Sequence, residues 1–201
     1  MKKLLIVFLL FSGSCLFYGC NGHNTSSESS TSDSTSTTAT DTLGTRMDTM
    51  TNTTGTAMVD AKAKGFAADA ATGGMLEVEL GNLAQQKATS QAVKNFGRMM
   101  VDDHTKAKDN LKTIATQKNI DLPPAITDDQ RKDIDKLSKK TGADFDKAYV
   151  DMMVDDHKKD IAAFKKAQGD VSDNDIKNFI TNTLPTLQKH LDAIQAIKAK
   201  M

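Results

Sequence analysis

Residues 91–118 read QAVKNFGRMMVDDHTKAKDNLKTIATQK, and the spacing of the apolar side chains in this stretch decides the fold. Val93, Phe96, Met100, Ala107, Leu111 and Ile114 recur at intervals of three and four, so a helix turning 100° per residue lays them along one face. His104 falls on that same face. The period of two that a half-buried strand requires does not occur here.

Working outward, the same periodicity runs from Val59 to the C-terminus, so the chain reads as all-α. A first helix is expected from about Ala61 to Ala88, a second from about Gln91 to Lys118, a third from about Ala143 to Gln168 and a fourth from about Asp173 to Ala199. Thr89 and Ser90 can cap the second helix, Asn119 to Pro124 end it, and Gly169 to Ser172 separate the third from the fourth. The connection between the second and third carries a short helix of its own. Thr127 is its N-cap candidate, Asp128 and Asp129 are the acids of its first turn, and Thr141-Gly142 breaks the chain after Lys140. Four amphipathic helices of about 26 residues, each about 39 Å long, pack most economically as a four-helix bundle.

Every helix places an ionisable group on its apolar seam. The third carries Tyr149, Met153, His157, Ile161 and Phe164, and the fourth carries Ile176, Ile180, Thr183, Leu187, His190, Ile194 and Ile197. On the first helix Phe66, Ala70, Gly73, Glu77, Leu80 and Ala84 share a face, and Glu79 lies well around from it. The segment Met99-Met100-Val101-Asp102-Asp103-His104 recurs unchanged as Met152-Met153-Val154-Asp155-Asp156-His157. Heights along the bundle bring Glu77, His104 and His157 together, whereas His190 is expected about 8 Å out of level with His157. Pro185 can absorb part of that offset by kinking the last helix.

Three imidazoles and a carboxylate in an apolar seam suit a divalent transition ion such as Zn²⁺, Fe²⁺ or Cu²⁺, which would relieve the cost of burying them. Glu77, His104, His157 and His190 are therefore the expected metal ligands. Asp103 and Asp156 point about 100° away from the seam and are expected to support the ligands rather than touch the ion. Met100 and Met153 stand one turn before two of the histidines, where they serve either as thioethers for copper or as flexible core filler.

The residues Phe66-Ala67-Ala68-Asp69-Ala70-Ala71, Gly74-Met75-Leu76-Glu77-Val78-Glu79-Leu80-Gly81, Met100-Val101-Asp102-Asp103-His104, Gly142-Ala143-Asp144-Phe145-Asp146 with Tyr149, Met153 and His157, and Leu184-Pro185-Thr186-Leu187 with His190 resemble the bacterial family of domains of unknown function number 4142. The resemblance covers essentially all of residues 61–199. It implies a ferritin-like helical fold in an exported, often envelope-attached protein, and its acid and histidines map onto Glu77, His104, His157 and His190. A carboxylate-bridged di-iron centre does not fit, because the chain has only Glu28, Glu77 and Glu79 and none precedes a histidine by three residues.

The N-terminal part is different in kind. Lys2 and Lys3 precede the apolar run Leu4 to Phe11, too short to span a bilayer, so residues 1–19 read as a secretory leader. Gly19-Cys20 after that run resembles the lipobox of bacterial lipoproteins, which makes Cys20 the expected lipidation site and a membrane the expected partner, with Cys15 a competing acceptor. In residues 20–58 the stretch from Thr25 to Thr56 holds 20 Ser or Thr among its 32 residues. Such a stretch cannot bury enough surface to offset its ordering entropy and is read as a disordered tether. Ser34, Thr42 and Thr49 within it each follow an Asp, resembling acceptors of bacterial periplasmic O-glycosylation. The folded domain is then expected at residues 59–201.

Charge and motifs exclude much else. Lys plus Arg and Asp plus Glu each number 26, and loss of Lys2 and Lys3 leaves 24 against 26, which excludes a basic nucleic-acid binder. Both cysteines, Cys15 and Cys20, are N-terminal, so the domain holds no disulfide, thiolate metal site or cysteine nucleophile. No nucleophile elbow, phosphate loop, dinucleotide fingerprint or His-Glu-x-x-His motif is present, which argues against an enzyme of those classes. The expectation is a lipid-anchored protein of the periplasm or cell envelope, on the inner or outer membrane, whose bundle binds a transition metal. The alternative is a structural or partner-binding envelope bundle without metal, self-associating or held to another envelope protein.

Overall fold

The computed structural model describes residues 59–201. The expected leader, Cys20, the tether and Ser34, Thr42 and Thr49 lie outside the described residues. Five helices follow in order: α1 (Ala61–Lys87), α2 (Gln91–Lys118), α3 (Asp128–Ser138), α4 (Gly142–Asp170) and α5 (Asn174–Lys198). There is no strand among the described residues, and the architecture is a ferritin-like four-helix bundle with α3 added in the α2 to α4 connection.

Contacts at the helix ends fix the directions. Asp60 caps α1, accepting from the Ala63 amide at 2.7 Å, and the same carboxylate accepts from the Ser172 amide at 2.9 Å just before α5. Lys118 at the end of α2 pairs with Asp173 and Asp175 at the start of α5, at 2.7 and 2.6 Å. At the other end Asp146, in the first turns of α4, meets Thr89 and Ser90 at the start of α2. Helices α2 and α4 therefore run parallel to each other and antiparallel to α1 and α5. The α2 to α4 connection must travel the length of the bundle, and α3 occupies that path against α1 and α4, burying Leu137 and linking Arg131 to Glu79 at 3.1 Å.

Local chemistry explains most boundaries. Thr127 and Gln130 form a reciprocal capping box on α3, at 3.2 and 2.8 Å. Asn119 ends α2 in the left-handed conformation with φ 53°. The N-terminus of α2 differs from expectation, because Ser90 is the cap residue but its hydroxyl makes no cap bond. The buried Asp146 carboxylate does the work instead, accepting from the amides of Thr89 at 3.0 Å and Ser90 at 2.7 Å and from the Thr89 hydroxyl at 2.5 Å. Helix α4 also runs on through Gly169 to Asp170, because buried Ala167 and Val171 hold that turn against the core despite the low helix propensity of glycine. Asp173 is the cap of α5 rather than its first residue, accepting from Asp175 and Ile176 amides at 3.0 and 3.1 Å.

Gly81 of α1 and Gly97 of α2 face each other at the tightest helix crossing. A Cβ at Gly81 would stand 2.6 Å from the Gly97 carbonyl oxygen, and one at Gly97 would stand 2.7 Å from that of Gly81. Only glycine permits this approach, which brings Glu77, one turn before Gly81, close to α2. The seams otherwise follow the period of 3.6, with Val93, Phe96, Met100, Leu111, Tyr149, Met153, Ile176, Ile180 and Ile194 buried. On α1 the buried line in the first half is Ala63, Ala67 and Ala71, and Phe66, Ala70 and Gly73 turn toward a cavity instead.

Candidate metal centre

His104, His157 and His190 are buried at 6%, 0% and 0% exposure, and Glu77 at 3%. One ring nitrogen from each histidine lies within 4.8 Å of the corresponding atoms of the other two. The offset expected for His190 is smaller than the loop positions suggested. His157 stands 13 residues before the end of α4 and His190 16 residues after the start of α5, a difference of about 4.5 Å in height that side chains span. Helix α5 is continuous through Pro185.

Each imidazole has an acceptor on its outer side. His104 Nδ1 meets Glu77 Oε2 at 2.8 Å, His157 Nδ1 donates to the Met153 carbonyl at 3.0 Å, and His190 Nε2 donates to Asp103 Oδ2 at 3.0 Å. A proton on each outer nitrogen leaves His104 Nε2, His157 Nε2 and His190 Nδ1 as the free nitrogens. His157 Nε2 and His190 Nδ1 face each other at 3.4 Å, and His104 Nε2 is buried without a hydrogen-bond partner. Two imidazole nitrogens on one ion, at bonds of about 2.0–2.1 Å, stand about 3.3–3.6 Å apart. The donor set, and the spacing of the His157 and His190 nitrogens within it, fit a transition ion, whereas two facing lone pairs repel without a cation between them.

The protonation states follow from burial and from Glu77. Burial pushes His190 down to about 4, and the hydrogen bond to Asp103 offsets only part of this, so at neutral pH it is a neutral donor to Asp103 rather than half of an ion pair. Burial also lowers His157, against the pull of the Glu77 charge. His104 is the exception: burial opposes its charge, but the charge and hydrogen bond of Glu77 outweigh burial and raise it above the ordinary value. Burial works against the Glu77 carboxylate too, and His104 again prevails, holding it below the ordinary range. Burial thus keeps two of the imidazoles neutral, and Glu77 favours the charged form of the third, His104.

Glu77 approaches the Nδ1 atoms of His104 and, at 3.5 Å, of His157, the sides facing away from the free nitrogens. Its place is that of a carboxylate orienting imidazoles. Asp103 does the same for His190, because its side of α2, about 100° from the seam, is the side on which α5 packs. Asp156 is paired with Lys159 at 3.8 Å, and burial, then the Glu77 charge, raises it to about 6. Met100 and Met153 are fully buried one turn before His104 and His157.

Sequence reasoning passed over two groups. Asp160 stands one turn after His157, and burial, then the charges of Glu77 and Asp156, push it up to about 8. The signal was the spacing His157-x-x-Asp160, the reverse of the Glu-x-x-His order sought. Tyr149 keeps its hydroxyl buried without a partner, and burial together with the Glu77 charge raises its pKa. Beside the centre lies a cavity of about 410 Å³. Phe66, Leu111, Phe164, Phe179 and Leu187 wall it, Glu77, His104 and Asp160 form its polar end, and Lys62, Asp69 and Lys166 border it on the exposed side.

Several known proteins resemble this chain. A family model described as a domain of unknown function, DUF4142, matches residues 48–197. No curated protein matches. A DUF305 fragment from Deinococcus radiodurans superposes with a TM-score of 0.64 at 7% identity, over 71% of this chain and 99% of that one. CopM in an Ag-bound form and in a Cu(I)-bound form superposes with TM-scores of 0.58 and 0.59, each at 14% identity over 69% of this chain and 96% of that one. At such identities the likeness is one of fold.

Proposed function

The chain belongs to the DUF4142 family, and from that premise we propose that this member holds one transition-metal ion on His104, His157 and His190. The reading rests on one observation: three outer acceptors leave each imidazole a nitrogen free, and one ring nitrogen from each histidine lies within 4.8 Å of the other two in an apolar core. Imidazole suits copper, zinc and iron. Copper comes first, because CopM, a bundle of the same fold, is known with Cu(I) and with silver, and because Met100 and Met153 lie one turn away. Glu77 and Asp103 orient the ligands, and a bound ion supplies the positive charge that the free nitrogens share. With its leader, Cys20 and the Ser/Thr-rich tether, the protein is a metal-binding lipoprotein of the bacterial envelope, with Ser34, Thr42 and Thr49 as candidate glycosylation sites.

A second reading has its own support. The Glu77 to His104 ion pair, closed at 2.8 Å, satisfies part of the polar core without any ion and can fix helix register in a purely structural bundle. The two separate on elemental analysis of the chain purified without chelator, followed by Cu(I) titration against a chromophoric chelator. Metal binding predicts about one equivalent in the wild type and its loss in a His157→Ala, His190→Ala variant, which keeps the Glu77 to His104 pair intact. Affinity also falls as pH drops, because the ion must displace the proton of His104, whose pKa is raised. No uptake of Cu(I), Ag(I), Zn²⁺ or Fe²⁺, with an unchanged thermal midpoint, leaves the structural bundle standing.

A further inference from the structure

Helix α1 contains three glycines that its own backbone does not require. Gly65, Gly73 and Gly74 are helical, and at none of them would a Cβ meet any atom within 4 Å. Glycine is the least favourable helix residue after proline, so its use at three positions in one helix calls for a cause. Gly81 of the same helix has one, the close carbonyl of Gly97. What Gly65, Gly73 and Gly74 share is the cavity, which all three border and which any larger side chain would narrow.

The polar end of that cavity gathers carboxyl groups. Glu77 and Asp160 stand there beside His104, and Glu77 Oε1 is buried with no hydrogen-bond partner. Carboxyl oxygens at the inner end of a chamber open to solvent, next to one of the three histidines, suit a cation in passage. We propose that this cavity, kept open by the α1 glycines, is the route by which the ion reaches the histidines, and that Glu77 and Asp160 receive it first. Carboxylate oxygens hold a soft ion loosely and imidazole holds it better, so the ion moves inward down a gradient of affinity. The proposal rests on the metal-binding reading above and assigns Asp160 a role in loading, not in final coordination.

The test is the rate of Cu(I) transfer from a chromophoric chelator to the full-length chain, followed by release to excess chelator. Gly73→Leu puts a larger side chain into the cavity at a position where a Cβ meets no neighbouring element, Asp160→Asn removes the receiving carboxyl group, and Gly73→Ala is the control. A blocked route slows uptake and release by the same factor. Gly73→Leu and Asp160→Asn are expected to slow both by about tenfold or more, with equilibrium affinity changed less than about twofold and Gly73→Ala near wild type. Circular dichroism confirms that each variant is folded. Wild-type rates in both variants overturn the route while leaving the metal centre intact. A wild-type chain that takes up no copper overturns both.

Discussion

A single carboxylate, Glu77, governs the electrostatics of the centre. It touches two of the three imidazoles and influences the protonation of His104, His157, Asp156, Asp160 and Tyr149. Its strongest effect is on His104, where it reverses the direction that burial imposes. Glu77→Gln keeps an acceptor for Nδ1 but removes the charge, so burial then acts on His104 against only the smaller pulls of Asp160 and Asp103. The His104 pKa, followed by proton NMR, is expected to fall from above the ordinary histidine value to below it. A pKa that stays raised would show that some other group carries the charge. Glu77 was legible in the sequence as the acid on the α1 seam. Asp160 was not, because one turn from His157 on the flank of the seam it looks like any other solvated Asp until the packing of α1 against α4 closes over it.

Among the elements, the α1 and α2 pair is the most constrained. Gly81 and Gly97 let the two backbones approach so closely that a single methyl at Gly81 falls 2.6 Å from a carbonyl oxygen and 3.0 Å from a Val101 methyl. Gly81→Ala must push the helices apart and is expected to cost about 1–3 kcal/mol in urea unfolding, although alanine is the better helix former. At Gly73, where the added methyl meets nothing, the same substitution is expected to be neutral or stabilising. The contrast separates a glycine needed for packing from one that only leaves space. The helices and the faces of α2, α4 and α5 were readable from periodicity. The rotation of the N-terminal half of α1 was not, because Ala63, Ala67 and Ala71 and the neighbouring line of Phe66, Ala70 and Gly73 are both apolar, and only the packed partners decide which is buried.

For the molecule as a whole, its two helical hairpins are fastened at both ends. Asp60 is one such fastening, joining the start of α1 to Ser172, 112 residues on. Its hydrogen bonds to Ser172 and to the Ala63 amide lower its pKa from 3.8 to about 2. A carboxyl with a depressed folded-state pKa stabilises the fold fully above its unfolded value, and that contribution is lost as pH falls toward the folded one. The urea midpoint of Asp60→Asn is therefore expected to lie below that of the wild type at neutral pH, and the gap to close as pH drops from about 4 toward 2. A gap that persists at the acid end would assign the effect to geometry rather than charge.

The order of apolar residues determined that this chain is helical, where its helices begin and end to within a few residues, and which four ionisable side chains point inward, because each of these depends on interactions within a turn or two of one helix. The tertiary structure decided the rest: that α2 and α4 run parallel, that Asp146 rather than a hydroxyl caps α2, that Glu77 and Asp103 stand behind the imidazoles, and that glycines in α1 border a cavity reaching His104. Those facts depend on contacts between residues as many as 112 positions apart, as between Asp60 and Ser172, and no local spacing encodes which two helix faces will meet.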